Sequence, residues 1–368
     1  MKHRSPALDE WVPRRSGRLA LAIFSGFFAA VAGASAEDSG LPAALGWRAG
    51  PPILAVDAAR LPESPDNPWL AVKDPSVVRH GDRWHLFCTL RKRDGGDGKP
   101  PGYIRIGHLS FADWSEARSA TWSVLDLGSL DYHGAPQVFF FEPSRTWYLV
   151  YQLADSARGI AYGPCFSTTT TLEDPKSWSL PQPFYAEKPS NLKGWIDFWV
   201  IGDAEKAHLF FTSNNGKLWR AETALARFPR GFGTPELALE GDFFEASHTY
   251  RLRNGAGYLT LIEAQGESGG RGRRYFQAYT ADRLEGPWRA WLGSGRTPFA
   301  GGANVVFEGE AWTDSISHGE LIRSGIDQRL EIDPGKLTFL YQGLRDDQWS
   351  KGYGKLPWRL GLLEAAGP

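Results

Sequence analysis

The feature that most limits how this chain can fold is a phrase that keeps returning: short aromatic-rich runs, then a polar turn, then a tryptophan. Phe111-Ala112-Asp113-Trp114, Glu173-Asp174-Pro175 through Trp178, and Leu284-Glu285-Gly286-Pro287-Trp288 each close such a group. The runs between them have the composition and alternation of strands, at 84–90 and 103–109, then 138–141, 147–152 and 160–162, then 198–201, 208–212 and 217–221. Further runs stand at 246–252, 257–263 and 274–280, and a last set at 304–307, 319–322 and 337–342; Asn214-Asn215-Gly216 is a hairpin turn. One such group cannot bury its own faces, whereas a ring of them can. The pattern predicts an all-β, five-bladed β-propeller with about four strands per blade. A β-sandwich with long loops is the competing fold. Residues 37–69, rich in Pro and Gly, are expected to wrap the outside before the first hairpin.

Sixteen Trp and twenty-one Phe beside forty-two Gly and twenty-five Pro suit many short strands and turns, and they argue against a helical bundle. A formal net charge of -1 offers no polycationic surface, so nucleic acid is not an expected partner. Lys2, Arg4, Arg14, Arg15 and Arg18 precede an apolar run at 19–34 that ends in Ala34-Ser35-Ala36, the pattern of a cleaved export signal over residues 1–36. The expectation is a secreted or periplasmic protein, 37–368, with no stable membrane insertion after cleavage; retention as a signal anchor is the alternative. Cys88 and Cys165 are the only cysteines, and they read equally as one disulfide or two buried thiols.

The stretch 72–87, VKDPSVVRHGDRWHLF, sets Asp74-Pro75 at the head of an alternating run with His80-Gly81-Asp82 as its turn. The first residues of an inner blade strand point toward the propeller axis, so an acid there can be held rigidly; the plainer reading is a turn cap. Asp197, within Trp195-Ile196-Asp197-Phe198-Trp199, and Glu245, within Phe243-Phe244-Glu245-Ala246-Ser247, share that setting. A buried carboxylate without a partner is costly and its pKa rises, so each is either paired or employed. Glycosidic hydrolysis needs one protonated acid for the leaving oxygen and one ionised carboxylate for water or the sugar carbon. Phe243 and Phe244 suit the first role for Glu245. Lys73 suits the second for Asp74, provided a bend at Pro75 turns both side chains to one site. Against this stand structural readings, a backbone acceptor between blades for Asp197 and a strand cap for Glu245. Glu263 and Glu320 lie equally among apolar residues, and spacing does not choose among the five acids. His318, in Ser317-His318-Gly319-Glu320, is a structural histidine or a cation ligand in the channel. No second His stands at a transition-metal spacing, and there is neither a phosphate-binding Gly loop nor a nucleophile elbow.

Taken in order, Val72-Lys73-Asp74-Pro75-Ser76, Ala135-Pro136-Gln137-Val138, Trp147-Tyr148-Leu149-Val150-Tyr151-Gln152 and the phrases around Asp197 and Glu245 resemble the arabinofuranosidases of glycoside hydrolase family 62. Gly272-Arg273-Arg274-Tyr275-Phe276, Ser317-His318-Gly319-Glu320 and Leu340-Tyr341-Gln342-Gly343 complete the series over roughly residues 45–345. The resemblance implies a five-bladed propeller that removes terminal α-L-arabinofuranosyl groups from arabinoxylan or arabinan with inversion. It implies Asp74 as general base, Glu245 as general acid and Asp197 as the third carboxylate, with Lys73, Trp195, Arg274 and Tyr341 as sugar-binding residues. It further implies a structural Ca2+ near His318 with water completing its shell, an arabinose-substituted plant polysaccharide as partner, and a monomer. The turn at 202–207 lacks the cysteines of many relatives and the 91–101 loop is unusually charged, which leaves other furanosides, such as D-arabinofuranose or galactofuranose, in play. A family 43-like xylosidase or arabinanase and a non-catalytic glycan-binding propeller are the further alternatives.

Overall fold

The computed structural model describes residues 41–61, 68–95, 98–253, 255–266, 273–293 and 296–366. The export signal read at 1–36 lies outside these residues. Among them the chain forms five sheets arranged as a five-bladed β-propeller. Blade one holds Trp69–His80, Arg83–Lys92, Ile104–Phe111 and Ser123–Val124; blade two holds His133–Phe141, Thr146–Asp155, Ile160–Thr169 and Gln182–Pro183. Blade three holds Ile196–Gly202, Lys206–Thr212, Lys217–Ala224 and Glu236–Glu240; blade four holds Glu245–Leu252, Tyr258–Gln265, Arg274–Ala281 and Arg289–Leu292, with Glu331–Ile332 added in parallel at its inner edge. Each expected strand run lies within or against one of these elements.

Blade five departs from the expectation for the N-terminal segment. Its strands Ser315–Leu321, Thr338–Leu344 and Arg359–Ala365 are joined by Trp47–Ala49, which pairs antiparallel with Arg359–Ala365 and parallel with Val305–Phe307. Residues 47–49 therefore close the ring rather than wrap it. Trp47 explains why: its ring is buried against Phe299 and Phe339, and its indole N–H donates to the Phe299 carbonyl at 2.5 Å. A strand of three residues contributes little pairing by itself, and burying a tryptophan anchors it.

Alternation places aliphatic and aromatic residues between blades, where Phe139, Tyr148, Trp199, Phe210, Phe276 and Phe339 belong to one continuous core. Cys88 and Cys165 sit in separate clusters of that packing as buried free thiols. The inner strands begin near the acids, and the far ends of three of them are tied by one segment. The Ile326, Gln328 and Leu330 carbonyls accept the Phe140, Gly202 and Arg251 amides at 2.8, 2.7 and 3.3 Å. Arg323 donates to the Val77 and Val138 carbonyls at 2.7 and 2.9 Å and pairs with buried Glu320 at 2.6 Å. Glu320 is thereby a structural acid at the closed end of the channel.

Candidate active site

The inner strand of every blade carries a β-bulge at the same height. Lys73 pairs with Thr89, Gly134 with Gln152, Ile196 with Thr212, Glu245 with Glu263 and Ser317 with Gln342, and each register slips immediately afterwards. The first residues inside the slips are Asp74, Ala135, Asp197, Ala246 and His318. The first four are left-handed, with φ of 47°, 49°, 56° and 52°, a conformation that costs a non-glycine residue roughly 1–2 kcal/mol. A bulge re-aims side chains that a flat strand would send to opposite faces. Lys73 Nζ accordingly stands 3.6 Å from Asp74 Oδ1, a contact the bulge permits.

A bulge also frees a backbone amide, and the second strand of the preceding blade caps it. Gln342 Oε1 accepts the Asp74 amide at 2.8 Å, Thr89 Oγ1 the Ala135 amide at 2.8 Å, Gln152 Oε1 the Asp197 amide at 3.1 Å, and Glu263 Oε2 the His318 amide at 2.8 Å. The fourth blade breaks the series, because Asp197 Oδ2 itself accepts the Ala246 amide at 2.9 Å. Neighbouring blades are thus stitched together at the height of the acids, which gives those acids fixed positions.

Their surroundings differ. Burial pushes the Asp74 carboxyl up, but Lys73, His318 and a hydrogen bond from Thr89 outweigh it and hold it below the usual carboxylate value. Burial, with the negative charges of Glu245 and Asp74, holds Asp197 well above that value. Glu245 is the most open of the three, its side chain 17% exposed against 7% for Asp74 and 5% for Asp197. A leaving group departing from the mouth would meet Glu245 first. Arg274 Nη1 lies 2.7 Å from Glu245 Oε1 and 2.9 Å from Glu263 Oε1, while its guanidinium rests against Phe244, Trp349 and Trp358. Burial, partly offset by Arg274 and reinforced by Glu245, lifts the Glu263 carboxyl to about 7.

The structure brings Asp74, Asp197, Glu245, Lys73, Arg274 and His318 together. Tyr341 is the exception that corrects the sequence reading: its ring stacks on Trp312 at 5.5 Å, fully buried, because the neighbouring Gln342 faces the acids and alternation turns Tyr341 the other way. The tyrosine beside Lys73 is instead Tyr353, whose hydroxyl accepts from Lys73 Nζ at 2.9 Å. Trp195 serves the wall from behind, its indole donating to the Tyr162 carbonyl at 3.0 Å while its ring packs edge-on against Phe198 and Phe211. Phe243 likewise faces Tyr279 in the core, and Phe244 alone of that pair covers Arg274. Tyr132 and Tyr162, bonded to Gln152 at 2.7 and 2.8 Å, form the wall beside Asp197. These tyrosines lie outside the matching phrases, and no local pattern marks them.

His318 stands with Nδ1 3.4 Å from Asp74 and 3.9 Å from Asp197, and burial lowers its pKa. Calcium takes about six to eight oxygen ligands, and the protein donors around His318 do not by themselves make such a cage. Among the described residues, Asp203, His208 and Glu285 bring ligand atoms within 4.8 Å of one another and could hold a metal ion. That cluster lies on blade three and its neighbour, where Lys206 already bonds Glu285 at 3.3 Å and Arg220 bonds His208 at 3.1 Å.

The model of Glycosyl hydrolase family 62 matches residues 57–364. Alpha-L-arabinofuranosidase C of Cellvibrio japonicus is 34% identical over 331 residues, covering 88% of this chain and 47% of the relative, so the chain spans about half the length of that curated protein. The catalytic domain of a family 62 α-L-arabinofuranosidase from Coprinopsis cinerea superposes with a TM-score of 0.77 at 39% identity, covering 89% of this chain and 98% of that one. A family 62 hydrolase solved with xylotriose gives a TM-score of 0.76 at 35% identity, covering 88% and 98%. A thermostable family 43 hydrolase, at 13% identity and a TM-score of 0.51, shares the fold.

Proposed function

Because the chain belongs to glycoside hydrolase family 62, we propose that it removes terminal α-L-arabinofuranosyl groups from the side chains of arabinoxylan, acting from the non-reducing end with inversion. The observation that carries this is the division of labour among the three carboxylates at or beside the bulges: one held ionised by Lys73, one held high by burial, and one at the mouth. Asp74 accepts a proton from water as the water oxygen bonds the anomeric carbon. Glu245 gives its proton to the glycosidic oxygen as the bond to that carbon breaks. Asp197, fixed through its bond to the Ala246 amide, orients the sugar and tunes the acid beside it. Lys73, Tyr353, Tyr132 and Tyr162 supply the polar and aromatic lining for a single furanose. A channel tied shut at its far end by the 323–332 segment suits release of one sugar at a time.

The xylotriose complex of the family 62 relative supports a xylan backbone at the mouth. The same reading includes export by the signal at 1–36, action as a monomer on a plant polysaccharide, and a calcium ion near His318. That ion would take one ring nitrogen and otherwise water, contributing charge to the pocket. Among the described residues no helix is long and apolar enough to cross a membrane. Product analysis tests the reading: incubation with arabinoxylan, arabinan and aryl furanosides of L-arabinose, D-arabinose and galactose should release free L-arabinose, first as the β-anomer by NMR. Release of another furanose, or of oligosaccharides, would replace it.

A further inference from the structure

The charged run that begins at Arg91 has no part in the hydrolysis outlined above. Arg91 lies near the end of the second strand of blade one, Arg83–Lys92, two residues after Thr89 and with no register slip between them. Alternation gives the two side chains one face, and Thr89 meets Asp74 on it. Arg91 is therefore one step nearer the mouth than the base. Its side chain is 4% exposed, Nη2 is 2.9 Å from Asp94 Oδ1, and Nε has no hydrogen-bond partner among the described residues. What the guanidinium has instead is two rings: its Cζ stands 5.4 Å from the centre of Tyr103 and 5.6 Å from that of Tyr353.

Those rings belong to two different stretches of the wall. Tyr103 sits edge-on to Tyr132, 6.1 Å away, and Tyr132 to Tyr162 at 5.8 Å, so Tyr103 continues the wall beside Asp197. That stretch is already fixed, because Tyr132 and Tyr162 both bond Gln152. Tyr353 stands instead on the short 3-10 turn Tyr353–Lys355, within the long connection 345–358 between two strands of blade five. At the mouth this turn rests on blade one. The Asp94 amide donates to the Gly354 carbonyl at 3.2 Å, and a Cβ on Gly354 would collide with the Asp94 carboxylate. We propose that Arg91, braced by Asp94, is a positioning residue that clamps the 353–355 turn against blade one and so sets Tyr353, and through it Lys73, against the sugar. A largely buried ion pair is a weak device for stability alone, since apolar side chains of like volume often serve as well or better. A planar cation is what joins two stretches of aromatic wall over their rings.

The proposal rests on the furanose reading above, and its test keeps the two apart. Arg91→Met keeps a long side chain and removes the planar cation. Amide exchange in peptides spanning 346–356, read by mass spectrometry, should quicken by about tenfold or more while the blade strands keep wild-type rates. Tyr353 and Lys73 touch the sugar both before and during the reaction, so the kinetic loss should fall on KM. A rise of about tenfold is expected on a nitrophenyl arabinofuranoside, with kcat within about twofold of wild type. In a Tyr353→Ala background the same substitution should change KM by less than about twofold, as residues that act through one another require. Unchanged exchange at 346–356 overturns the clamp whatever the sugar, and an equal KM rise in both backgrounds overturns its action through Tyr353. Faster exchange in the variant of a protein whose wild type releases no arabinose upholds the clamp and refutes the furanose reading instead. Should Arg91→Met fail to fold, Gly354→Ala strains the same joint from the other side: the added Cβ forces either the turn off blade one or Asp94 off Arg91. Its KM rise should likewise vanish in the Tyr353→Ala background, and a KM equal to wild type overturns the proposal.

Discussion

Replacing Lys73 with Met isolates the force that keeps the base ionised. Lys73 Nζ and Asp74 Oδ1 are 3.6 Å apart with side chains 10% and 7% exposed, so bulk water and salt screen them weakly. At an effective dielectric constant of about 20, Coulomb's law gives roughly 4–5 kcal/mol for unit charges at this spacing, equivalent to about three pKa units as an upper bound. His318 and the Thr89 hydroxyl remain to support the carboxylate, so a rise of roughly one to three units is expected. The sign follows from the chemistry: the base works ionised, activity climbs as pH rises through its pKa, and a higher pKa moves the acid limb to higher pH. The assay is kcat/KM against pH from 3 to 9 on a nitrophenyl arabinofuranoside, where proton donation is not limiting. Lys73 also lines the sugar site, so absolute rates will fall, but the limb position is independent of that loss. A folded variant with an acid limb within a few tenths of a unit of wild type would refute the claim that Lys73 sets the state of Asp74.

Three further outcomes follow from the geometry. Glu245→Gln should slow arabinoxylan hydrolysis by a factor of about 10²–10⁴ and aryl arabinofuranosides far less, read from paired initial rates. Gly319→Ala would put a Cβ 2.4 Å from the Leu340 carbonyl and 3.0 Å from the Tyr341 Cα; displacing the bulge that carries His318 should cost about 1–3 kcal/mol in urea unfolding, with activity lost alongside. The stacked pair His85 and His108, in contact at 3.3 Å, is held neutral by burial, with pKa values lowered to about 4 and about 3. Their folded pKa values lie below the unfolded value of about 6.5, so their contribution is complete above that pH and is lost as pH falls toward 4 and 3. Urea midpoints at pH 7 and pH 4.5 should therefore fall less in His108→Phe than in the parent, and equal falls would remove the pair from the acid response.

Strand composition and alternation were sufficient to place the chain among all-β folds, with a propeller ahead of a sandwich, because they record which face of each strand is buried, and that is a local property. The turn-and-tryptophan phrases set the blade spacing for the same reason. The acids Asp74, Asp197 and Glu245 could be picked out through the order of the matching phrases, although local spacing had left five candidates standing. Tertiary structure decided the rest. The short strand at Trp47 gains its place only when residues some 300 positions away come round to meet it. Tyr353 replaces Tyr341 at the pocket because the short 3-10 turns at 346–355, between blade-five strands, reach Lys73 at the mouth, whereas Tyr341 is bound by the alternation of its strand. The bulges, each one residue long, do not alter composition enough to be seen, yet they turn Lys73 and Asp74 to one site. The four second-strand caps, Gln342, Thr89, Gln152 and Glu263, become equivalent only when the ring closes and each of these strands meets the next blade. Glu263 and Glu320 look alike along the chain; one ends beside Arg274 under the acid and the other beside Arg323 at the closed end of the channel. Which charge a buried carboxylate faces is a matter of closure around the axis, and closure is a property of the whole ring.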